Sequence, residues 1–129
     1  MRVPALIFLM ITLLSPAIAW ADDSVAINKL ISEIDAAAKT DKSRMLSIIT
    51  INTDVASTTL EREKARTGFT LGEVYVAHSI ALAARKSFDQ VAAMKAEGHT
   101  WGKVAQNNKV SLRGATASIK ELMRSKKSE

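Results

Sequence analysis

Apolar residues recur at spacings of three and four along most of this chain. Such spacing places them on one face of an α-helix. Ile27, Leu30, Ile31 and Ile34, for example, share a face. No run of alternating apolar and polar residues, bounded by turn residues as in a β-strand, interrupts the pattern. The sequence therefore predicts an all-α fold, a compact bundle of about five to six short helices.

The core of this bundle has to form without cross-links. The chain contains no cysteine, so no disulfide framework is possible. Only 5% of the residues are aromatic, which leaves Ile, Leu, Val, Met and Ala to fill most of the core. The helix predicted over residues 71–86 is apolar nearly all round. We expect it to be the central, buried helix.

The chain begins with the layout of a secretory signal peptide. Arg2 supplies a basic start, the apolar run 3–14 follows, and Pro16 precedes small residues. Ala-x-Ala sites permit cleavage after Ala19 or Ala21, and we favour the second because acidic and polar residues then begin the mature chain. The alternative, an uncleaved anchor, needs about 20 apolar residues, more than this run provides. We expect a periplasmic or secreted protein.

Cleavage would leave one domain. We assign residues 1–21 to the signal peptide, 22–125 to a single helical domain and 126–129 to a disordered basic tail. Only Arg2 among the charged residues is removed, so the mature chain has 17 basic and 13 acidic residues, a net charge of +4. We expect no integral membrane span after cleavage, and the oligomeric state stays open.

Positive charge is concentrated at the C-terminal end. Between residues 103 and 127 there are seven basic residues, and Glu121 is the one acid. Such a concentration of positive charge could attract an acidic protein, an acidic polymer, nucleic acid or anionic lipid. A solvated end that keeps a small protein soluble is the simplest interpretation.

Three segments share the residue pattern of a helix start. Thr70, Ser87 and Thr100 each precede a large apolar residue, with Val three positions after it. The hydroxyls can cap their helices, and Glu73 and Gln90 are placed to complete capping boxes with the first two. We therefore predict helices that begin at these three points, with Gly98 ending the middle one.

The earlier part of the chain is less regular. We predict a first helix over 24–39 and a second from about residue 43 that weakens at 52–54, where side chains compete for the backbone. Thr58 and Glu61 fit a further capping box. Gly68 is a natural helix stop.

Residues suited to catalysis are scarce. Cysteine is absent, and most Ser and Thr residues are already explained as caps. No cluster at metal-ligand spacing surrounds His78 or His99, the two histidines. We interpret His78 as a hydrogen-bonded core or boundary residue, with a ligand or pH-sensing role as the alternative, and His99 as an exposed loop residue. The charged run 61–64 reads as a solvated face. We predict no enzyme, no cofactor and no metal.

Trp101 stands out because tryptophan is either a large core anchor or an exposed recognition residue. Both interpretations remain open, with the core anchor favoured. The candidate partner-binding residues are this tryptophan and the basic residues that follow it: Trp101, Lys103, Lys109, Arg113, Lys120 and Arg124.

The segment 98–124 resembles the helix-turn-helix of DNA-binding regulators. The similarity rests on residues 98–105, Val110-Ser111-Leu112 and the helix that continues through 115–119. In that motif the second helix enters the major groove, and basic residues contact phosphates. The turn at 107–109 has Asn-Asn-Lys in place of the usual Leu-Gly. The resemblance implies nucleic-acid binding as the alternative function, although an exported protein does not meet the chromosome.

A second resemblance agrees with export. The pairs Thr67-Gly68 and Gly72-Glu73, the cap 86–89 and the turn 98–105 are similar to motifs of a group of small exported bacterial proteins of uncharacterised function. The match covers about residues 58–112. Thr100 stands where the group has glycine, and Ala84-Arg85 replaces a small polar or glycine pair. The resemblance implies an exported helical bundle without known activity. We therefore expect a non-catalytic module that binds an unknown protein or acidic polymer.

Overall fold

The computed structural model describes residues 24–127, and these form seven α-helices and no β-strand. The all-α prediction is confirmed, with one helix more than the upper number expected. The predicted signal peptide lies outside the described residues. In chain order the helices are α1 (24–40), α2 (Lys42–Thr53), α3 (Ser57–Thr67), α4 (Leu71–Ala84), α5 (Phe88–Ala96), α6 (Trp101–Asn107) and α7 (Arg113–Lys127).

The first helix breaks follow from local side chains. Asp41 separates α1 from α2, and its carboxylate accepts a hydrogen bond from the Arg44 backbone N–H at 3.1 Å. The weakening predicted at 52–54 is confirmed, because α2 ends at Thr53 and Asp54 adopts the left-handed conformation with φ 63°. This break separates α2 from α3, which raises the number of helices.

The capping box predicted at Thr58 is wrong. α3 begins two residues earlier than this cap implies, and its N-cap is Ala56, which provides no side-chain hydrogen bond. The hydroxyl of Ser57 lies 3.2 Å from that of Thr50 on α2, so it contacts the preceding helix. Thr58 is exposed in the first turn. The predicted stop at Gly68 is confirmed by its φ of 78°.

The three later helix starts are confirmed. Thr70 with Glu73 and Ser87 with Gln90 form complete capping boxes. The Thr100 hydroxyl accepts a hydrogen bond from the backbone of the third helical residue at 3.1 Å. These caps fix the entry points of α4, α5 and α6.

α4 is the central helix. It packs against α2, α3 and α5, and most of its side chains are buried, including Tyr75. Near its end Leu82 is 74% exposed, so the prediction of burial nearly all round fails at the last turn. The helix ends at Arg85, which adopts a left-handed φ of 58°.

α1 docks on the first turn of α4. An ideal Cβ at Gly72 would lie 2.6 Å from the Ile31 carbonyl oxygen, so the two backbones approach too closely for any other residue. The Gly72 N–H donates to Asp35 Oδ1 at 2.8 Å. Gly102, in the first turn of α6, has the same close relation to Ser24. α1 therefore lies across the starts of two helices.

α7 packs against α2. The Arg44 guanidinium donates to the Met123 carbonyl oxygen at 2.6 Å, and Asn52 donates to Ser118 at 2.9 Å. The helix continues to Lys127. None of the described helices is long and apolar enough to cross a membrane.

Candidate functional site

The structure places Trp101 in the core. Its side chain is 3% exposed, and its ring packs edge-on against Phe69 with 5.4 Å between centroids. The indole N–H donates to Glu73 Oε2 at 2.8 Å, while Lys95 Nζ lies 5.7 Å from the ring centroid. Trp101 is therefore a core anchor, and the interpretation as an exposed recognition residue is wrong. The indole ring is large and apolar, so its burial in the core is more favourable in free energy than its exposure to solvent.

The basic candidates are distributed over several elements. Lys103 is exposed on α6, Lys109 is exposed in the following loop, and Arg124 is exposed near the end of α7, 2.8 Å from Glu121. Arg113 and Lys120 lie on the first half of α7. The structure brings these last two together along one groove and leaves the other three outside it.

The groove lies between the beginning of α1 and the first half of α7, and we call it the α1–α7 groove. It has a volume of about 310 Å³. Ile27 and Leu112 supply buried apolar surface, being 2% and 4% exposed. The residues that line it are Ala26, Ile27, Leu112, Arg113, Thr116, Ala117 and Lys120.

The α7 wall of the groove has a regular order. Arg113, Thr116, Ala117 and Lys120 follow helical spacing, so they form one stripe along the helix. The two basic residues are seven positions apart, which is about two turns or roughly 10 Å along the axis. Small residues separate them. The stripe therefore has a basic residue at each end of an apolar recess.

Lys120 also contacts α1. Its Nζ lies 3.7 Å from Glu33 Oε1, and both side chains are more than a third exposed. An exposed pair at this distance contributes little stability. The contact therefore orients the lysine beside the groove without making it unavailable to a stronger acidic partner.

A second cluster joins α3 to α4. Glu63 Oε1 and His78 Nε2 are 2.6 Å apart, and their side chains are 11% and 13% exposed. Phe88 stacks on the imidazole with centroids 4.7 Å apart, and the Arg66 guanidinium carbon lies 6.0 Å from the Phe88 centroid. His78 is thus the hydrogen-bonded boundary residue that the sequence suggested.

The interpretation of residues 61–64 as a solvated face is wrong for Glu63, which is buried against α4. Helical spacing contained the signal. Leu60 is the one large apolar residue of α3, so it had to face inward, and Glu63 lies three positions later on the same face. A carboxylate on a buried face requires a partner, which His78 provides.

The remaining histidine is peripheral. His99 is partly exposed, with its Nε2 3.7 Å from Glu97 Oε1. Within the part of the chain that the structure describes, no group of three or more metal-ligating side chains could hold a metal ion. Of the six sequence candidates, Arg113 and Lys120 are the two that line a concave surface together, the α1–α7 groove.

Neither a scan against protein-family models nor searches of curated proteins and of solved structures found a match to this chain.

Proposed function

We propose that the protein is an exported, non-catalytic interaction module that binds an acidic amphipathic helix of a partner protein in the α1–α7 groove. The signal-peptide layout of residues 1–21 supports export to the periplasm or the medium. The spacing of basic and small side chains along α7 supports an acidic amphipathic helix as the partner. Catalysis is not part of the proposal, because the groove presents no paired acid and base.

The observation that carries the proposal is the α7 stripe. Arg113 and Lys120 lie about two helical turns apart, with apolar recess between them. A partner helix with acidic residues seven positions apart matches both charges, and apolar residues between them fill the recess. Charge complementarity would then set the register of the partner, while apolar burial supplies affinity.

Nucleic-acid binding through residues 98–124 is the alternative function. Exposed Lys103, Lys109 and Arg124 favour it, since they suit phosphate contacts. One observation weighs against it, because Trp101 is buried and cannot contact nucleic acid. An exported location would also separate the protein from the chromosome.

The test is fluorescence anisotropy with three labelled probes. The first is a designed helical peptide with Glu at positions i and i+7 and Leu at i+3 and i+4. The second peptide has the same composition with the Glu spacing changed. The third probe is a duplex DNA of unrelated sequence. Each is titrated with the wild type, with Arg113→Ala/Lys120→Ala, and with the charge-matched control Lys29→Ala/Arg62→Ala, whose residues are exposed outside the groove.

We expect the first peptide to bind in preference to the respaced one. The groove double variant should weaken that binding at least tenfold, about 1.4 kcal/mol, and the control should leave it within about twofold. Salt should have a modest effect, because part of the binding is apolar. Equal loss in both double variants would reject the groove. Tight DNA binding that falls steeply with added salt would favour the alternative.

A further inference from the structure

The loop between α4 and α5 and the loop between α6 and α7 lie side by side. Lys86 Nζ in the first loop donates to Asn108 Oδ1 in the second at 2.6 Å, and this hydrogen bond joins them. The two loops expose three basic side chains, those of Arg85, Lys86 and Lys109. We call these three residues, together with the exposed Leu82, the basic loop face.

The apolar residue of this face protrudes. Leu82, in the last turn of α4, is 74% exposed, the highest value among the large hydrophobic residues that the structure describes. It borders a shallow groove of about 340 Å³ that Ser111, in the loop between α6 and α7, also lines. The leucine therefore lies beside both basic loops.

The backbone at two of the basic residues favours glycine. Arg85 and Lys109 are left-handed, with φ 58° and 57°. Any side chain at such a position costs free energy, because its Cβ crowds the backbone. Both side chains are exposed and make no hydrogen bond and no ion pair within residues 24–127. Packing therefore does not account for these side chains, whereas their charge can.

Acidic residues are absent from the segments that form the face. No Asp or Glu occurs in residues 74–88 or 98–120. The acids that follow these segments, Asp89 and Glu121, are each paired with an arginine at 2.8 Å. Asp54 comes directly after a residue that lines the shallow groove. Three cations therefore outnumber the acid at the border of the face.

We propose that the basic loop face binds the surface of a membrane that contains anionic phospholipids. The three basic residues contact lipid phosphates, and Leu82 inserts beside the headgroups. A protruding leucine fits a fluid apolar phase better than it fits a protein helix, which binds in a groove. Stable attachment combines apolar insertion with attraction between basic residues and anionic lipid. The face uses none of the residues that line the α1–α7 groove, so the two proposals stand separately.

Co-sedimentation with sucrose-loaded vesicles tests the proposal. The vesicles contain phosphatidylcholine alone or mixed with an equal amount of phosphatidylglycerol. The protein starts at Asp22, because all the described helices lie within residues 24–127 and the apolar run 3–14 would itself enter lipid. We expect binding to the mixed vesicles to be at least tenfold tighter than to phosphatidylcholine.

Glycine substitutions separate the charge from the backbone. Arg85→Gly/Lys109→Gly removes two cations at positions that favour glycine, so stability in urea should not fall. Binding to the mixed vesicles should weaken at least tenfold. Asp54→Gly is the matched control, because Asp54 is also left-handed with φ 63°, and it should bind no more weakly than the wild type. Reduced stability of the double variant with unchanged binding would assign these cations to the helix ends and overturn the proposal.

Substitutions at Leu82 test insertion. Leu82→Ala should weaken binding by about three- to tenfold, while Val25→Ala, at a position 72% exposed on α1, should change it by no more than about twofold. Leu82→Trp should be quenched by lipids brominated on their acyl chains, and the buried Trp101 of the wild type should not. Equal binding to both kinds of vesicle or no quenching at position 82 would overturn the proposal. So would binding to polyglutamate through Arg85 and Lys109 without binding to the mixed vesicles, which would indicate an acidic protein.

Discussion

At the scale of single residues, polar groups in the core determine how helices meet. The hydroxyl of Tyr75 on α4 lies 3.0 Å from Asn52 Oδ1 on α2 and 3.1 Å from the Ala115 carbonyl oxygen on α7. The ring itself is fully buried. One side chain thus connects three helices, and its polar end is satisfied without water.

Burial raises the pKa of Tyr75 above its ordinary value of 10.0. The unfolded chain therefore loses this proton at lower pH than the folded chain does. Stability should be fully present below about pH 10 and fall as the pH rises above it, since the unfolded state then binds fewer protons. Near-ultraviolet absorbance should show ionisation of this sole tyrosine only above its usual range, and at its usual pKa in urea.

Tyr75→Phe is the matched control for this effect. It should lose about 1 kcal/mol of stability at neutral pH, because the Asn52 and Ala115 acceptors lose their donor. In return, its free energy of unfolding should fall less between pH 9 and 11, a window set by the ordinary pKa near 10. An identical alkaline loss in wild type and variant would contradict the role given to this residue.

The pair of Glu63 and His78 leads to a second prediction. Glu63→Ala should destabilise the fold by about 1–3 kcal/mol, since His78, whose side chain is only 13% exposed, would be left without its partner. Glu63→Gln keeps an acceptor oxygen and should lose less. Glu121→Ala, at an exposed position, should change stability by no more than about 0.5 kcal/mol. Urea unfolding measures all three, and equal effects at positions 63 and 121 would reject a structural role for the pair.

At the scale of helices, the chain specifies its own starts and stops. Thr70, Ser87 and Thr100 were predictable as caps because each acts on a backbone N–H three residues away. Thr58 failed because Ser57 contacts Thr50 on another helix, and α3 starts before the expected cap. The sequence alone shows which side chains can cap a nearby backbone N–H. It does not show which of them instead contact another helix.

The docking of α1 gives a prediction at this scale. Gly72→Ala would place a methyl group against the Ile31 carbonyl oxygen, which is backbone and cannot rotate away. We expect a loss of about 1–3 kcal/mol, with faster hydrogen exchange in α1. Gly114→Ala meets nothing within 4 Å and should instead be neutral or stabilise the protein by up to about 1 kcal/mol. Urea unfolding compares the two variants, and matching results would contradict the close approach.

This docking could not be predicted from the sequence. The sequence pattern identified α1 as amphipathic and Gly72 as part of a helix start. It did not show that α1 packs against Gly72. The Gly72 N–H and Asp35 are 37 residues apart, and only the packed fold brings them within 2.8 Å. Gly72 and Gly102 are explained by the close packing of α1 against them, which leaves no room for a side chain.

At the scale of the whole molecule, α1 contributes to two concave surfaces. Ala26 and Ile27 line the α1–α7 groove, and Ala38 and Lys39 line a second concave surface that α1 forms with α2 and α3. These positions are about 20 Å apart along the helix axis. The sequence identified Arg113 and Lys120 as candidates from charge alone. The apolar surface between them depends on α1, so the groove appears only once the chain has folded.

The interaction model depends on where the protein works, and intact mass with N-terminal sequencing of protein from fractionated native cells tests this most directly. We predict a chain that starts at Asp22 or Trp20, recovered from the periplasm or the medium. That result would send the search toward envelope partners with acidic amphipathic helices. Full-length protein in the cytosol would contradict export and make nucleic-acid binding through residues 98–124 the leading function.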